Sequence, residues 1–226
     1  MPSPRHTFLF ADLAGFTALT EAHGDEDAAD LVGGFCRDVR DLLAEHGAEE
    51  VKALGDALML HVREPDRAVE LGLRVVGELG ARSGFPVVRV GMHTGAAVER
   101  GGDWFGATVN LAARVSALSG GGEVLITEAV RLAAGAMPGV ELRSRGVEKL
   151  RNMREPVHLY TALRDDGVGP LTPHIDPVCR MAVDPETSAG SLMFADVRHH
   201  FCSLACARAF ADAPSSYAPP SARPRA

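Results

Sequence analysis

The chain has 226 residues, 46% of them apolar and 23% charged, and its 30 acidic against 23 basic side chains give a formal charge of −7. That length holds one large domain or a medium domain plus a small one, and the balance is that of a folded globular protein. Net negative charge argues against holding duplex DNA or an anionic membrane by bulk electrostatics. No apolar run reaches the roughly 18 residues of a membrane-spanning helix, and residues 1–6 lack the apolar stretch of a secretion signal, so the expectation is a cytoplasmic protein with neither nucleic-acid nor membrane partners.

In chain order, residues 7–11 read as a buried strand closed by Asp12 and a Gly turn that opens a helix. Residues 25–45 read as an amphipathic helix, because Ala28, Leu31, Phe35, Val39 and Leu42 step by three and four. Residues 50–62 read as two strands joined at Leu54-Gly55-Asp56. A second helix is expected over 66–79 behind the start signal Pro65-Asp66. A strand follows at 87–92, a third helix at 108–118, a strand at 123–126, a helix capped by Thr127, and a last strand at 157–163. This alternation with one hairpin is the pattern of an α+β sheet covered by helices. Residues 165–173, with two Pro and two Gly, read as a linker. They separate a domain over 1–164 from a small Cys-containing α+β module over 174–217, and a Pro/Ala/Arg tail expected to be disordered covers 218–226. From Thr172 onward five acids (Asp176, Asp184, Glu186, Asp196, Asp212) balance five arginines (Arg180, Arg198, Arg208, Arg223, Arg225), so the whole net charge lies before the module.

Three stretches carry chemistry. In Phe10-Ala11-Asp12-Leu13-Ala14-Gly15-Phe16-Thr17 a carboxylate stands where a strand meets a turn and a helix start. Backbone N–H groups there face an anion, so an acid beside them makes sense with a divalent metal between acid and phosphate, although a helix cap explains a lone Asp equally well. In Val51-Lys52-Ala53-Leu54-Gly55-Asp56 a second acid sits at a hairpin tip, and Lys52 lies among apolar neighbours where it needs a partner. In Gly102-Asp103-Trp104 through Val115, Asn110 and Arg114 are i and i+4 on a helix of small and apolar residues, which leaves the Arg room to reach a phosphate.

Together these motifs resemble the class III nucleotidyl cyclases, in that family's order and spacing, over residues 6–163. The resemblance implies a ferredoxin-like βαββαβ core with added elements. It implies Asp12 and Asp56 as ligands of two Mg²⁺ or Mn²⁺, Lys52 and Asp103 as the adenine-selecting pair, and Leu13, Ala14, Gly15, Phe16 and Thr17 as the phosphate turn. Asn110 and Arg114 then orient the ribose and stabilise the transition state. It further implies ATP as substrate, cyclic AMP and pyrophosphate as products, and a homodimer in which the acids of one protomer work with the other four groups of its mate. Departures are small: Ala57 and Ala14 stand at positions where other small residues are common. The rival expectations are a catalytically silent nucleotide- or metal-binding module and a guanylyl cyclase. The complete set of six polar residues speaks against the first, and the Lys/Asp pair against the second.

Cys179, Cys202 and Cys206 crowd the last fifth of the chain, and an odd cluster in a reducing compartment fits metal better than disulfides. Cys202 and Cys206, i and i+4 at the start of an expected helix, share a face. Three soft ligands suit Zn²⁺ or Cu⁺, with His199, His200 and Asp176 as candidate fourth ligands. The stretches Asp176–Pro185 and His200–Cys206 resemble a YHS domain of the wider TRASH-like group, which implies a metal-binding module, and its covalent linkage to the enzyme gives the expectation that metal there regulates the cyclase. Arg180 departs from the common Gly. Cys36 and His93 read as structural, and Trp104 as core or as a neighbour of the base.

Overall fold

The apolar run near the start of the chain becomes β1 (Arg5–Leu13) in the computed structural model, which describes residues 4–80, 82–150, 153, 155–165 and 174–217. Gly15, at φ +82, turns the chain into α1 (Phe16–His23), and Gly24 separates α1 from α2 (Asp25–Leu43). The hairpin follows as β2 (Ala48–Leu54) and β3 (Ala57–Val62). Next come α3 (Pro65–Arg74), which continues through a wide turn over Val75–Leu79, and β4 (Val88–Ala96). Then come β5 (Val98–Arg100), β6 (Asp103–Phe105), α4 (Ala107–Leu118), β7 (Val124–Thr127), α5 (Glu128–Ala134), β8 (Val140–Glu148) and β9 (Val157–Arg164).

Seven of these strands form one sheet in the order β2-β3-β1-β4-β7-β9-β8, with β4 and β7 parallel and the other neighbours antiparallel. The first four strands, with helices between β1 and β2 and between β3 and β4, make the expected βαββαβ unit. Alternation along β1 sends Leu9, Ala11 and Leu13 into the main core with Phe35 and Val39 of α2 and Val69 of α3. Phe8 and Phe10 point to the opposite face, where Met59 and Ala112 of α4 cover them. Gly91 lets α4 settle on β4: a Cβ there would stand 2.0 Å from the Ser116 backbone nitrogen.

Two features escaped the sequence reading. The β5–β6 hairpin and β8 lie at the surface, and β8 is mostly exposed along Glu141-Leu142-Arg143-Ser144-Arg145, so burial imposes no period-two hydrophobic signal there.

The C-terminal segment builds two small hairpins, β10 (His174–Ile175) with β11 (Ala182–Val183) and β12 (Gly190–Phe194) with β13 (Val197–Phe201), then α6 (Leu204–Asp212) and α7 (Pro214–Tyr217). Val178, Cys179, Met181, Phe201, Cys206 and Phe210 form its core, and Leu19 of α1 and Ala28 of α2 belong to the same cluster. The backbone joins too, since the Gly84 N–H donates to the Ala182 carbonyl at 2.8 Å and the Ala182 N–H to the Phe85 carbonyl at 2.9 Å. Apart from Asp165, the linker read over 165–173 and the tail over 218–226 lie outside the described residues.

Candidate active site

Asp12, next to last in β1, pairs in register with Ala57, the neighbour of Asp56 in the β2–β3 turn, so the sheet brings the two acids together from distant positions in the chain. Burial and the nearby Asp12 carboxylate push Asp56 up to about 6. Arg89, the register partner of Asp12 on β4, donates to the Asp12 carboxylate through Nε at 2.7 Å and through Nη2. Arg89 was not singled out from sequence. The available signal was the one that flagged Lys52, a charge inside an apolar strand run, here Val87-Val88-Arg89-Val90. Two carboxylates at neighbouring strand ends form the hard oxygen donor set that suits Mg²⁺ or Mn²⁺.

Beyond Asp12 the chain turns sharply. The Ala14 N–H donates to the Val87 carbonyl at 2.7 Å, and Leu13 is 1% exposed in the core. Within the stretch 13–17 it is therefore exposed Gly15 and Thr17, with Phe16 between them, that open to solvent at the start of α1.

Lys52 on β2 and Asp103 on β6 meet, with Nζ donating to Oδ2 at 2.6 Å. That bond and the Trp104 N–H hold the Asp103 carboxyl below its ordinary range. Trp104 stacks on His61 with ring centroids 4.7 Å apart, at the edge of the β1/α4 cluster. Exposed Leu54 and Phe105 flank the two loops.

On α4, Thr108, Leu111, Ala112, Val115 and Ser116 face inward. Asn110 and Arg114 lie on the other side of the helix, exposed and half-buried respectively. Among the described residues no carboxylate pairs with Arg114. A cleft of about 640 Å³ opens elsewhere, lined by His6, His61, Arg63 and Trp104 among others, and contains none of the site residues read from sequence. Cys36 is core, and His93 donates or accepts at Thr127 Oγ1, as a structural histidine does.

In the C-terminal segment the three sulfurs converge. Cys179 Sγ lies 3.4 Å from Cys202 Sγ, which lies 3.7 Å from Cys206 Sγ. Cys202 Sγ donates to Cys206 Sγ, and the two neighbouring thiols pull the Cys206 thiol well below its usual range. Helix α6 begins at Leu204 with Ser203 as its cap, so Cys202 precedes the helix, and convergence comes from the β13–α6 turn rather than from a shared helical face. None of the three expected partners is the fourth neighbour. Asp176, fully buried, accepts N–H bonds from Val178, Cys179 and Cys202 and so ties the knuckle together. His199 packs on Phe210 and His200 on His174. The residue that approaches is His23, at the end of α1, with Nε2 3.6 Å from Cys202 Sγ.

With the seven-stranded sheet and these groups in place, the comparisons with known proteins agree. Residues 2–162 match the family described as the adenylate and guanylate cyclase catalytic domain, and the chain belongs to that family. It is 37% identical over 168 residues, 73% of this chain and 42% of the other, to a Mycobacterium tuberculosis protein named pH-sensitive adenylate cyclase MT1302. It is 38% identical over 126 residues, 56% of this chain and 32% of the other, to an adenylate cyclase of Streptomyces griseus. The chain thus spans less than half the length of these relatives. A solved structure of a Trypanosoma brucei adenylate cyclase in its monomeric state superposes with a TM-score of 0.66 at 25% identity, covering 72% of this chain and 90% of that one. The expected α+β cyclase fold is thereby borne out. Among the described residues no helix is long and apolar enough to cross a membrane.

Proposed function

We propose that the chain is an adenylate cyclase that converts ATP to 3′,5′-cyclic AMP and pyrophosphate in a homodimer. The observation that carries this reading is the meeting of Asp12 and Asp56 at adjoining strand ends, in a family whose named relatives are adenylate cyclases. The ribose 3′-hydroxyl attacks the α-phosphorus and pyrophosphate leaves. Asp12 and Asp56 would hold Mg²⁺ or Mn²⁺, which would supply neutralisation of phosphate charge and a lowered pKa for the attacking hydroxyl. The backbone of Gly15, Phe16 and Thr17 cradles the phosphates, and Arg89 keeps Asp12 aimed at the same place. Arg114 offers its planar fork to the oxygens on which charge develops, and Asn110 holds the ribose.

Lys52 and Asp103 read the base. Lys52 only donates and ionised Asp103 only accepts, which fits the ring-nitrogen acceptor and amino donor of adenine and mismatches guanine. Their 2.6 Å contact presets the pair before nucleotide arrives.

The placement of Asn110 and Arg114 supports the homodimer. Asn110 and Arg114 face away from the sheet that carries the acids, so a second copy with twofold symmetry supplies them. Exposed apolar Leu54, 47% accessible, and Phe105, 52% accessible, beside the acids and the base-reading pair suit the seam between copies. The catalytic domain then occupies 1–164, and 174–217 forms a YHS-like module whose Cys179, Cys202 and Cys206 hold a soft metal. The test is cyclic AMP formation by the purified chain from ATP with Mg²⁺ or Mn²⁺. Production abolished by Asp12→Ala supports the reading. ATP binding without turnover in the intact chain establishes the silent module instead.

A further inference from the structure

Four ligand atoms from two parts of the molecule meet at one point: Nε2 or Nδ1 of His23 and the sulfurs of Cys179, Cys202 and Cys206 all lie within 4.8 Å of one another. A tetrahedral Zn²⁺, with Zn–S near 2.3 Å and Zn–N near 2.0–2.1 Å, sets separations of roughly 3.7 Å between sulfurs and 3.6 Å between sulfur and nitrogen. The observed sulfur pairs stand at 3.4 and 3.7 Å, and His23 Nε2 stands 3.6 Å from Cys202 Sγ. Thiolates alone could gather around a metal inside the C-terminal segment. What is distinctive here is that the only nitrogen ligand among these atoms comes from α1, 179 positions away in sequence from Cys202.

We infer that His23 is the fourth ligand of a Zn²⁺-class, thiophilic cation and that this ion bridges the catalytic domain to the C-terminal module, fixing helix α1. The inference rests on the reading of the three cysteines as a metal site. It replaces His199, His200 and Asp176 with a residue of the catalytic domain. Binding leaves the imidazole neutral and takes up to three protons from the thiols, which pass to solvent.

The consequence reaches the phosphate turn. Helix α1 runs from Phe16, capped by Gly15, to His23, so the ion anchors one end of it. At the other end, Arg180, next in sequence to the ligand Cys179 and held at φ +66, lays its stem on Gly15, where a Cβ would stand 2.5 Å from Arg180 Cγ. The module thus grips both ends of the helix whose first turn presents Gly15, Phe16 and Thr17. Metal occupancy sets how firmly that turn is held.

The experiment compares the full chain with His23→Ala, His23→Cys, His199→Ala and His200→Ala, using Zn²⁺ in competition with a chelator and Co²⁺ as the spectroscopic probe. The wild-type chain is expected to bind one Zn²⁺ and to give the Co²⁺ spectrum of three sulfurs and one nitrogen. His23→Ala is expected to weaken Zn²⁺ by about 100-fold, the strong end of what even an outer-shell loss costs. His23→Cys restores tight binding with a four-sulfur spectrum, which separates ligand loss from misfolding, and the other two variants behave as wild type. Hydrogen exchange adds a readout independent of catalysis: Zn²⁺ slows exchange across residues 16–23 in the wild type and not in His23→Ala. Unchanged Zn²⁺ affinity and Co²⁺ spectrum in His23→Ala overturn the bridging ligand while leaving the cysteine site standing. A wild-type chain that binds no Zn²⁺ overturns the cysteine site itself.

Discussion

The catalytic domain and the C-terminal segment place their chemistry in opposite ways. In the first, a seven-stranded sheet with α2 and α3 on one face and α4 on the other supplies the stability, and Asp12, Asp56, Lys52, Asp103, Asn110 and Arg114 stand at its margins. In the second, the functional atoms are the core: Cys179 and Cys206 are 1% exposed beside Phe201 and Phe210. A large domain can leave its reactive groups open, waiting for substrate and a second copy. A short segment cannot bury enough apolar surface to do so, and it draws on the neighbouring helices α1 and α2 and, in the proposed reading, on a metal among its cysteines.

The sharpest way to break this contrast is to delete a marginal group and a central one and compare what is lost. Asp12→Ala is expected to lower cyclase turnover by about 10³-fold or more, because the cation loses a ligand where phosphate charge develops, while thermal melting stays near wild type. Asp176→Ala is expected to do the reverse. Three buried N–H groups lose their acceptor, costing about 3 kcal/mol and releasing the C-terminal segment in hydrogen exchange, with the sheet of β1–β4 still protected. Equal loss of protection in both regions would show that they do not differ as described.

A middle-sized effect concerns the base. Lys52→Met leaves Asp103 without its partner and is expected to lower the preference for ATP over GTP by roughly 10-fold to 100-fold, at about 1–3 kcal/mol for a stranded polar group. Steady-state kcat/KM for the two nucleotides measures it.

The acid pair also gives a pH signature. Asp56 titrates near 6, above the usual Asp range, because burial and Asp12 penalise its charge. Cation binding needs the ionised form, so Mg²⁺ affinity is expected to fall by about tenfold per pH unit below about 6. The stability effect has the opposite sign. A group whose pKa is raised by folding stabilises the fold at low pH and loses that contribution as pH rises through the folded value. Asp56→Asn should therefore raise stability at pH 7, by about 1 kcal/mol once solvent screening is allowed for. Gly15→Ala is expected to cost about 1–2 kcal/mol in thermal unfolding because φ +82 disfavours a Cβ, with Arg180 displaced besides.

The sequence made β1, the β2–β3 hairpin and helices α2 to α5 legible because apolar periodicity survives wherever an element buries one face. Glycine and carboxylate at Gly55-Asp56 marked a turn, and only conjunction with Asp12 and the Asn110/Arg114 pair marked it as chemistry. Edge strand β8 left no such trace. Arg89 was readable by the rule applied to Lys52. His23 was not, because its partners are brought to it by tertiary docking and nothing local distinguishes it from a histidine closing a helix.

A mixing assay tests the shared site most directly. Each inactive chain, Asp12→Ala or Arg114→Ala, lacks one half of every site. In the mixed dimer, the intact acids of one chain face the intact Arg of the other at one of two sites. Equal mixing is expected to restore about a quarter of wild-type cyclic AMP production, since half of the dimers are mixed and each has one working site. A mixture that stays as inactive as its components, although the two chains demonstrably pair, would contradict a site shared between protomers.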